Sequence, residues 1–195
     1  LLSENPQGNL SEEQVRFAES IYSAGNDLLD LINDILDISK VEAGKLDLLP
    51  ETLPLASLVE SINNTFEPIA RQKALVFELS IDPDAPAAIV TDRQRVEQIL
   101  KNLLSNAIKF TEHGAIRLRV SAQPNGGVAL AVQDSGIGIA PEQQAIIFEA
   151  FRQADGTTSR RYGGTGLGLS ISRDLSALLG GSISVHSTPH QGSTF

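Results

Sequence analysis

The sequence predicts an α/β fold: a two-layer sandwich of a mixed β-sheet and helices, preceded by a long bundle-forming helix. Three observations lead there. An apolar heptad stripe runs from Val15 to Ser39. Beyond residue 50, helical and strand periods alternate. Within that part, Pro124-Asn125-Gly126-Gly127 separates two alternating runs as a hairpin turn does, so the sheet is not a plain parallel βαβ array.

The first helix opens with Ser11-Glu12-Glu13-Gln14, the S-x-x-Q form of a capping box, and carries two acids in its first turn. Val15, Ala18, Tyr22, Gly25, Leu29, Ile32, Leu36 and Ser39 recur at steps of three and four. Ile21, Leu28 and Ile35 widen the stripe, and Gly44 is a candidate stop. A helix of roughly 32 residues is near 48 Å long and cannot bury such a stripe alone. It packs either on its own globular domain or in a bundle with other chains. Asp27, Asp30, Asp34 and Asp37 read as a solvated face, the alternative being a device that repels wrong partners.

The rest reads as Pro54–Ala74 helix, Leu75–Ile81 strand, Ala88–Val90 strand and Arg93–Phe110 helix. Ala115–Ala122 and Val128–Gln133 are strands, Pro141–Phe151 a helix with proline in its first turn, and Leu167–Leu179 a helix. Ser182–Ser187 and Ser193–Phe195 close as strands. Ala154–Gly164 lacks an apolar period and is expected to be a mobile loop. The resulting division is 1–44 and 45–195.

Composition narrows the function. Of 195 residues 41% are hydrophobic, enough for a core, and the 5% aromatic content makes that core aliphatic. A net charge of −9 argues against nucleic-acid binding, which needs a basic face. The charge is concentrated: residues 1–50 carry ten acids and three bases. No apolar run of about 18 residues is present to span a membrane. With no cysteine, disulfides and thiolate chemistry are excluded, and His113, His186 and His190 are scattered rather than spaced as metal ligands. The absence of Met, even at position 1, is expected of a piece of a longer polypeptide.

Four clusters carry the candidate chemistry. Asn102 and Asn106 stand four apart on one helix face with Lys109 three further on, ahead of Phe110. An amide oxygen suits Mg²⁺ and a lysine suits phosphate, while an exposed polar stripe explains the same residues. Asp134-Ser-Gly136-Ile-Gly138-Ile139 follows a strand; its carboxylate and glycines fit the floor of a cleft open to a flat ligand, or an ordinary turn. Glycines at 163, 164, 166 and 168 lead into a helix, a setting that favours phosphate. That stretch matches neither the P-loop nor the dinucleotide fingerprint. Gly181-Ser182-Ile183 and Gly192-Ser193-Thr194-Phe195 read as a closing hairpin.

In this order the clusters resemble a sensor histidine kinase of the hybrid phosphorelay kind. Asn102–Phe110 looks like the family's N box, and Asp134–Ile139 like its first glycine box. Phe148-Glu149-Ala150-Phe151 looks like the F box, Gly164–Leu169 like the second glycine box, and Gly192–Phe195 like the last. Residues 11–44 resemble the second helix of the dimerisation and phosphoacceptor hairpin.

The resemblance implies that residues 45–195 form the ATP-binding sandwich shared with DNA gyrase and a heat-shock chaperone. Asp134, with Gly136 and Gly138, receives adenine. Asn102 and Asn106 hold Mg²⁺ and phosphate oxygens, and Lys109 beside Phe110 meets phosphate. Gln153, Arg160 and Arg161 are γ-phosphate candidates on an ATP lid over Ala154–Gly164. Gly164, Gly166 and Gly168 act as its hinge and as part of its phosphate cradle, Thr165, Leu167 and Leu169 join them in binding the nucleotide, and Thr194 backs the adenine site. The resemblance further implies a homodimer through the hairpin and a receiver domain or response regulator as partner. The setting implied is the cytoplasmic side of a membrane-anchored bacterial sensor, attached only through upstream segments.

One departure stands out. The family's acceptor histidine sits in H-E/D-x-x-[TN]-P, and no such motif occurs here. The expected reaction therefore transfers the γ-phosphoryl to a histidine on an upstream helix, and autophosphorylation of this chain alone is not expected. Other readings are a non-catalytic regulator of a partner kinase, a gyrase-type conformational ATPase and a serine kinase of the same fold. The gyrase type places a Glu general base where Asn102 stands.

Overall fold

The computed structural model describes residues 8–42, 45–124, 126–152 and 166–195. The expected loop at Ala154–Gly164, the candidates Gln153, Arg160, Arg161, Gly164 and Thr165, and the stop at Gly44 lie outside those residues. The chain divides into two compact units, Leu1–Leu46 and Asp47–Phe195.

The first unit is built on α1, Glu12–Glu42. Its capping box forms as the sequence predicts. The Ser11 N–H donates to Gln14 Oε1 (2.8 Å) and the Gln14 N–H to Ser11 Oγ (3.3 Å), so each residue satisfies an N–H of the other. At the far end the Lys45 N–H bonds the Lys40 carbonyl at 2.9 Å. The stripe is not covered: Ile21, Tyr22, Leu28, Leu29, Ile32, Ile35 and Leu36 are all exposed. The side chains of Asp27, Asp30 and Asp34 lie outside the described set.

The second unit is an α/β sandwich. Its elements are β1 (Glu51–Pro54), α2 (Leu55–Gln72), β2 (Val76–Ile81), β3 (Ala88–Thr91) and α3 (Arg93–Phe110). They continue with β4 (Ala115–Ala122), β5 (Val128–Asp134), α4 (Pro141–Gln144), α5 (Gly168–Leu178), β6 (His186–Thr188) and β7 (Gly192–Thr194). One sheet runs in the order β2-β4-β5-β7-β6. β2 and β4 are parallel and the other pairs antiparallel, so the sheet is mixed as expected. A second, two-stranded sheet pairs β1 with β3.

The side-chain periods explain the layers. Along β4, Ile116, Leu118 and Val120 are buried, while Arg117 and Arg119 alternate onto the open face. Leu55, Leu58, Ile62, Phe66 and Ala70 form the inward stripe of α2. Val96, Leu100, Leu103, Leu104, Ala107 and Ile108 form that of α3. These residues make one aliphatic core with Ile116, Leu118, Val120 and Val132. Asp92 caps α3 through the Arg95 N–H (3.1 Å) and also accepts the Leu49 N–H (3.0 Å), which fastens the segment leading into β1.

Three expectations are corrected. Glu51–Pro54 is a strand that the helical reading absorbed at Pro54; only Leu53 of the four is buried, too little to show a period. Pro141–Phe151 is helical only as far as Gln144. Beyond it, bonds three residues apart (Ile146 N–H to Gln143 O, Glu149 N–H to Ile146 O, both 3.0 Å) tighten the chain toward Phe151, which has φ of +63°. The last hairpin is shorter: pairing spans His186–Thr188 rather than Ser182–Ser187, because β7 offers only Gly192–Thr194 to pair with.

Candidate functional site

The described motif residues converge through specific contacts. At the end of α3, the Phe110 carbonyl accepts the Ile137 N–H at 3.3 Å, and a Cβ on Gly136 would overlap that carbonyl. Farther along α3, Asn102 lies against Gly168, where a Cβ would overlap its amide, and Asn102 Nδ2 donates to Ser172 Oγ at 2.8 Å. Gly138, at φ +67°, lies against the Thr188 carbonyl. Gly192, at φ +98°, lies against that of Asp134. The Phe151 N–H bonds the Gly166 carbonyl at 3.0 Å, and the Phe148 and Phe195 rings meet edge to face at 6.3 Å. Segments from residues 102 to 195 thus meet in one structure.

Gly136, Gly138, Gly168 and Gly192 each let one part of the chain approach another closely. Gly166, at φ +73°, sits beside the Phe151 and Arg152 backbone. Leu167 is fully buried, and Leu169 is half-buried against the core.

Asp134 ends β5 and is only 8% exposed. Its carboxylate accepts the Gly136 N–H at 2.8 Å, together with the N–H and hydroxyl of Ser193. Burial holds the carboxyl above the usual aspartate range, against the pull of those donors. A cleft of about 420 Å³ opens beside it, lined in part by Asp134, Gln144, Ser187, Gln191 and Ser193. This cleft flanks the Asp134 end of the site; its described lining includes neither Asn102 nor Asn106.

The register separates two neighbours on β7. Thr194 pairs with Gln133, and Ser193 with Asp134. Side chains alternate along a strand, so the Thr194 side chain leaves the opposite sheet face from that of Asp134 and lines a groove with Arg117, Arg119 and Gln133, while Thr194 also borders the cleft beside Asp134. Ser193 is the residue that backs Asp134. Phe195 signals this in the sequence: its ring belongs inside, which turns Ser193 inward and Thr194 outward.

The two asparagines are not equivalent. Asn102 ties α3 to α5 through Ser172. Asn106 stands one turn further along α3, with no side-chain hydrogen bond among the described residues. Lys109 is half-buried 5.2 Å from the Phe110 ring centroid, and burial lowers its pKa from the ordinary lysine value. Among the described residues no group of three His, Cys, Asp or Glu side chains is arranged to hold a metal, and no helix is long and apolar enough to cross a membrane.

The second unit is thus a mixed sheet layered with helices, with a buried carboxylate at the end of β5 and two asparagines on α3. A family profile described as "Histidine kinase-, DNA gyrase B-, and HSP90-like ATPase" matches residues 91–195, and the chain belongs to that family. It is 45% identical over 190 residues to the signal transduction histidine-protein kinase BarA of Escherichia coli (strain K12), covering 95% of this chain and 21% of BarA. It is 42% identical over 190 residues to the circadian input-output histidine kinase CikA of Synechococcus elongatus, covering 96% of this chain and 25% of CikA. In structure it is similar to full-length ShkA in complex with AMPPNP, with a TM-score of 0.83 and 35% identity, covering all of this chain and 40% of ShkA. The chain thus spans a fifth to a quarter of the curated relatives named here, and its second unit is an ATP-binding catalytic domain of the histidine kinase type.

Proposed function

We propose that the second unit binds Mg·ATP and gives the γ-phosphoryl group to a histidine outside these 195 residues, as a step in two-component phosphorelay signalling. The observation that carries this reading is the Asp134 carboxylate, buried and held by donors where the motif segments meet. Adenine offers an amino group to such an acceptor, whereas guanine offers a carbonyl in that place.

Asp134 then selects the base and Asn106 holds Mg²⁺. Lys109 meets phosphate oxygen, and Asn102 braces α3 against α5. Bound Mg²⁺ supplies charge neutralisation on the phosphate oxygens. The chain's own work is mainly positioning and electrostatics, because phosphoryl transfer asks little covalent chemistry of the protein. Gln153, Arg160 and Arg161 are the lid candidates for the γ-phosphate, with Gly164, Thr165 and Gly166 at the hinge. The first unit, as the second helix of a dimerisation hairpin, explains an apolar stripe left open along α1. Complete kinases then pair as homodimers and pass the phosphoryl group to a receiver domain or response regulator.

The test supplies γ-labelled ATP and Mg²⁺ to the chain, with and without a separately made hairpin carrying H-E-x-x-[TN]-P. Acid-labile, base-stable label on the hairpin and none on this chain is expected. Such label on this chain itself, or ATP binding without transfer to a hairpin of a close relative, counts against the reading.

A further inference from the structure

We infer that Ser187 is a positioning residue for nucleobase recognition: its hydroxyl orients the Asp134 carboxylate through Ser193 and, through the Ile139 N–H, holds the glycine loop beside that carboxylate. This rests on the reading of Asp134 as the adenine acceptor.

The register brings the three residues into line. Asp134 pairs with Ser193, and Ser193 with Ser187, so the side chains form one row across β5, β7 and β6 on the same sheet face. Ser187 Oγ lies 3.0 Å from Ser193 Oγ and 2.8 Å from the Gly192 carbonyl oxygen. It also accepts the Ile139 N–H at 2.7 Å. The backbone carbonyls of Ser187 and Ile139 are bridged by Gln144 Nε2, at 2.8 and 3.0 Å. Ser187 therefore joins the row behind Asp134 to the glycine loop.

Proton counting gives the row a direction. Ser187 has one hydroxyl proton and two oxygens within reach, Gly192 O and Ser193 Oγ. Ser193 likewise has one proton, for Ser187 Oγ or for Asp134. An ionised carboxylate is the stronger acceptor, so it draws the Ser193 proton to itself, and the Ser187 proton is then shared between the Gly192 carbonyl (2.8 Å) and the Ser193 Oγ (3.0 Å). Deleting the Ser187 hydroxyl removes the second support of the Ser193 hydroxyl and leaves the Ile139 N–H without its acceptor. The carboxylate keeps its charge but loses its fixed direction. That direction tells an amino group from a carbonyl, whereas phosphate binding does not use it.

The experiment measures ATP and GTP affinities of the chain by competition against a fluorescent nucleotide, for the unmutated chain, Ser187→Ala, Ser187→Thr, Ser193→Ala and Asp134→Asn. Ser187→Ala is expected to lower the ATP:GTP affinity ratio about three- to tenfold. Ser187→Thr, which keeps the hydroxyl, retains the ratio. Ser193→Ala breaks the row while sparing the Ser187–Ile139 bond, so it also lowers the ratio and stands in if Ser187→Ala does not fold. Equal loss of both affinities with an unchanged ratio makes Ser187 merely structural and overturns the inference. A ratio that Asp134→Asn changes and Ser187→Ala and Ser193→Ala do not overturns the inference alone. A ratio insensitive to Asp134→Asn overturns the adenine reading and the inference with it.

Discussion

The two units carry the same kind of apolar pattern and treat it in opposite ways. Along α3 the stripe from Val96 to Ile108 is buried. Along α1 the stripe from Ile21 to Leu36 is exposed, with Leu29 at 59%. A periodic stripe tells which side of a helix is apolar; it does not tell what covers that side. Inside the sandwich the cover is the sheet. Along α1 we read the cover as further bundle helices, as in the proposed hairpin.

The largest test of that contrast is a pair of leucines. Leu104 is fully buried, and Leu104→Ala is expected to cost about 2–5 kcal/mol in urea unfolding of the second unit. Leu29→Ala should stay within about 0.5 kcal/mol for the isolated chain. A cost at Leu29 as large as at Leu104 would show that the α1 stripe is covered.

Glycines sharpen the comparison next. Gly192 has φ of +98°, and a Cβ there would overlap the Asp134 carbonyl. Gly192→Ala is therefore expected to destabilise the sandwich by at least about 1–3 kcal/mol in the same assay. Gly25 sits inside α1 with nothing near the place of a Cβ, so Gly25→Ala should raise helicity, by about 0.5–1 kcal/mol for that helix. Circular dichroism reads the sign directly: opposite signs are expected at the two positions.

Caps differ in the same way. Asp92 is buried and serves both the Arg95 and the Leu49 N–H, so Asp92→Ala leaves two donors unmet and should cost about 1–3 kcal/mol on unfolding. Ser11 is an exposed cap, and Ser11→Ala should cost α1 only about 0.5–1 kcal/mol, read as fraying by amide exchange.

Most of the architecture was legible because it rests on local periods: alternation in β4, stripes in α2 and α3, and the capping box at Ser11. The motif residues were legible as types and spacings. Their contacts were not, because Asn102 with Ser172, Phe110 with Gly136 and Asp134 with Ser193 join residues far apart in the chain. Which of Ser193 and Thr194 pairs with Asp134 was hidden for a related reason. Choosing between neighbours on a strand requires the register, and a shift of one residue exchanges the two faces. The early end of α4 at Gln144 was not legible because tight turns and a helix share the early part of one apolar spacing.

The smallest stability effect concerns Asp134. Its carboxyl is held above the ordinary aspartate value of 3.8 by burial, so the folded chain binds that proton more tightly than the unfolded chain. The resulting stability is complete below the unfolded value and is lost as pH rises through the folded one. Asp134→Asn should therefore make the fold slightly more stable at pH 7, with the gain shrinking on acidification, while nucleobase discrimination falls. Melting curves at several pH values check it; a uniform loss of stability would contradict it.

The most direct test of the account is calorimetric titration of the unmutated chain with ATP and with GTP in the presence of Mg²⁺. With Asp134 as the base-reading acceptor, ATP should bind at least about tenfold more tightly, since a mismatched guanine carbonyl leaves the carboxylate without its donor. Asp134→Ala should remove that preference. Equal affinities for ATP and GTP in the unmutated chain would contradict the account by taking Asp134 out of the nucleotide site.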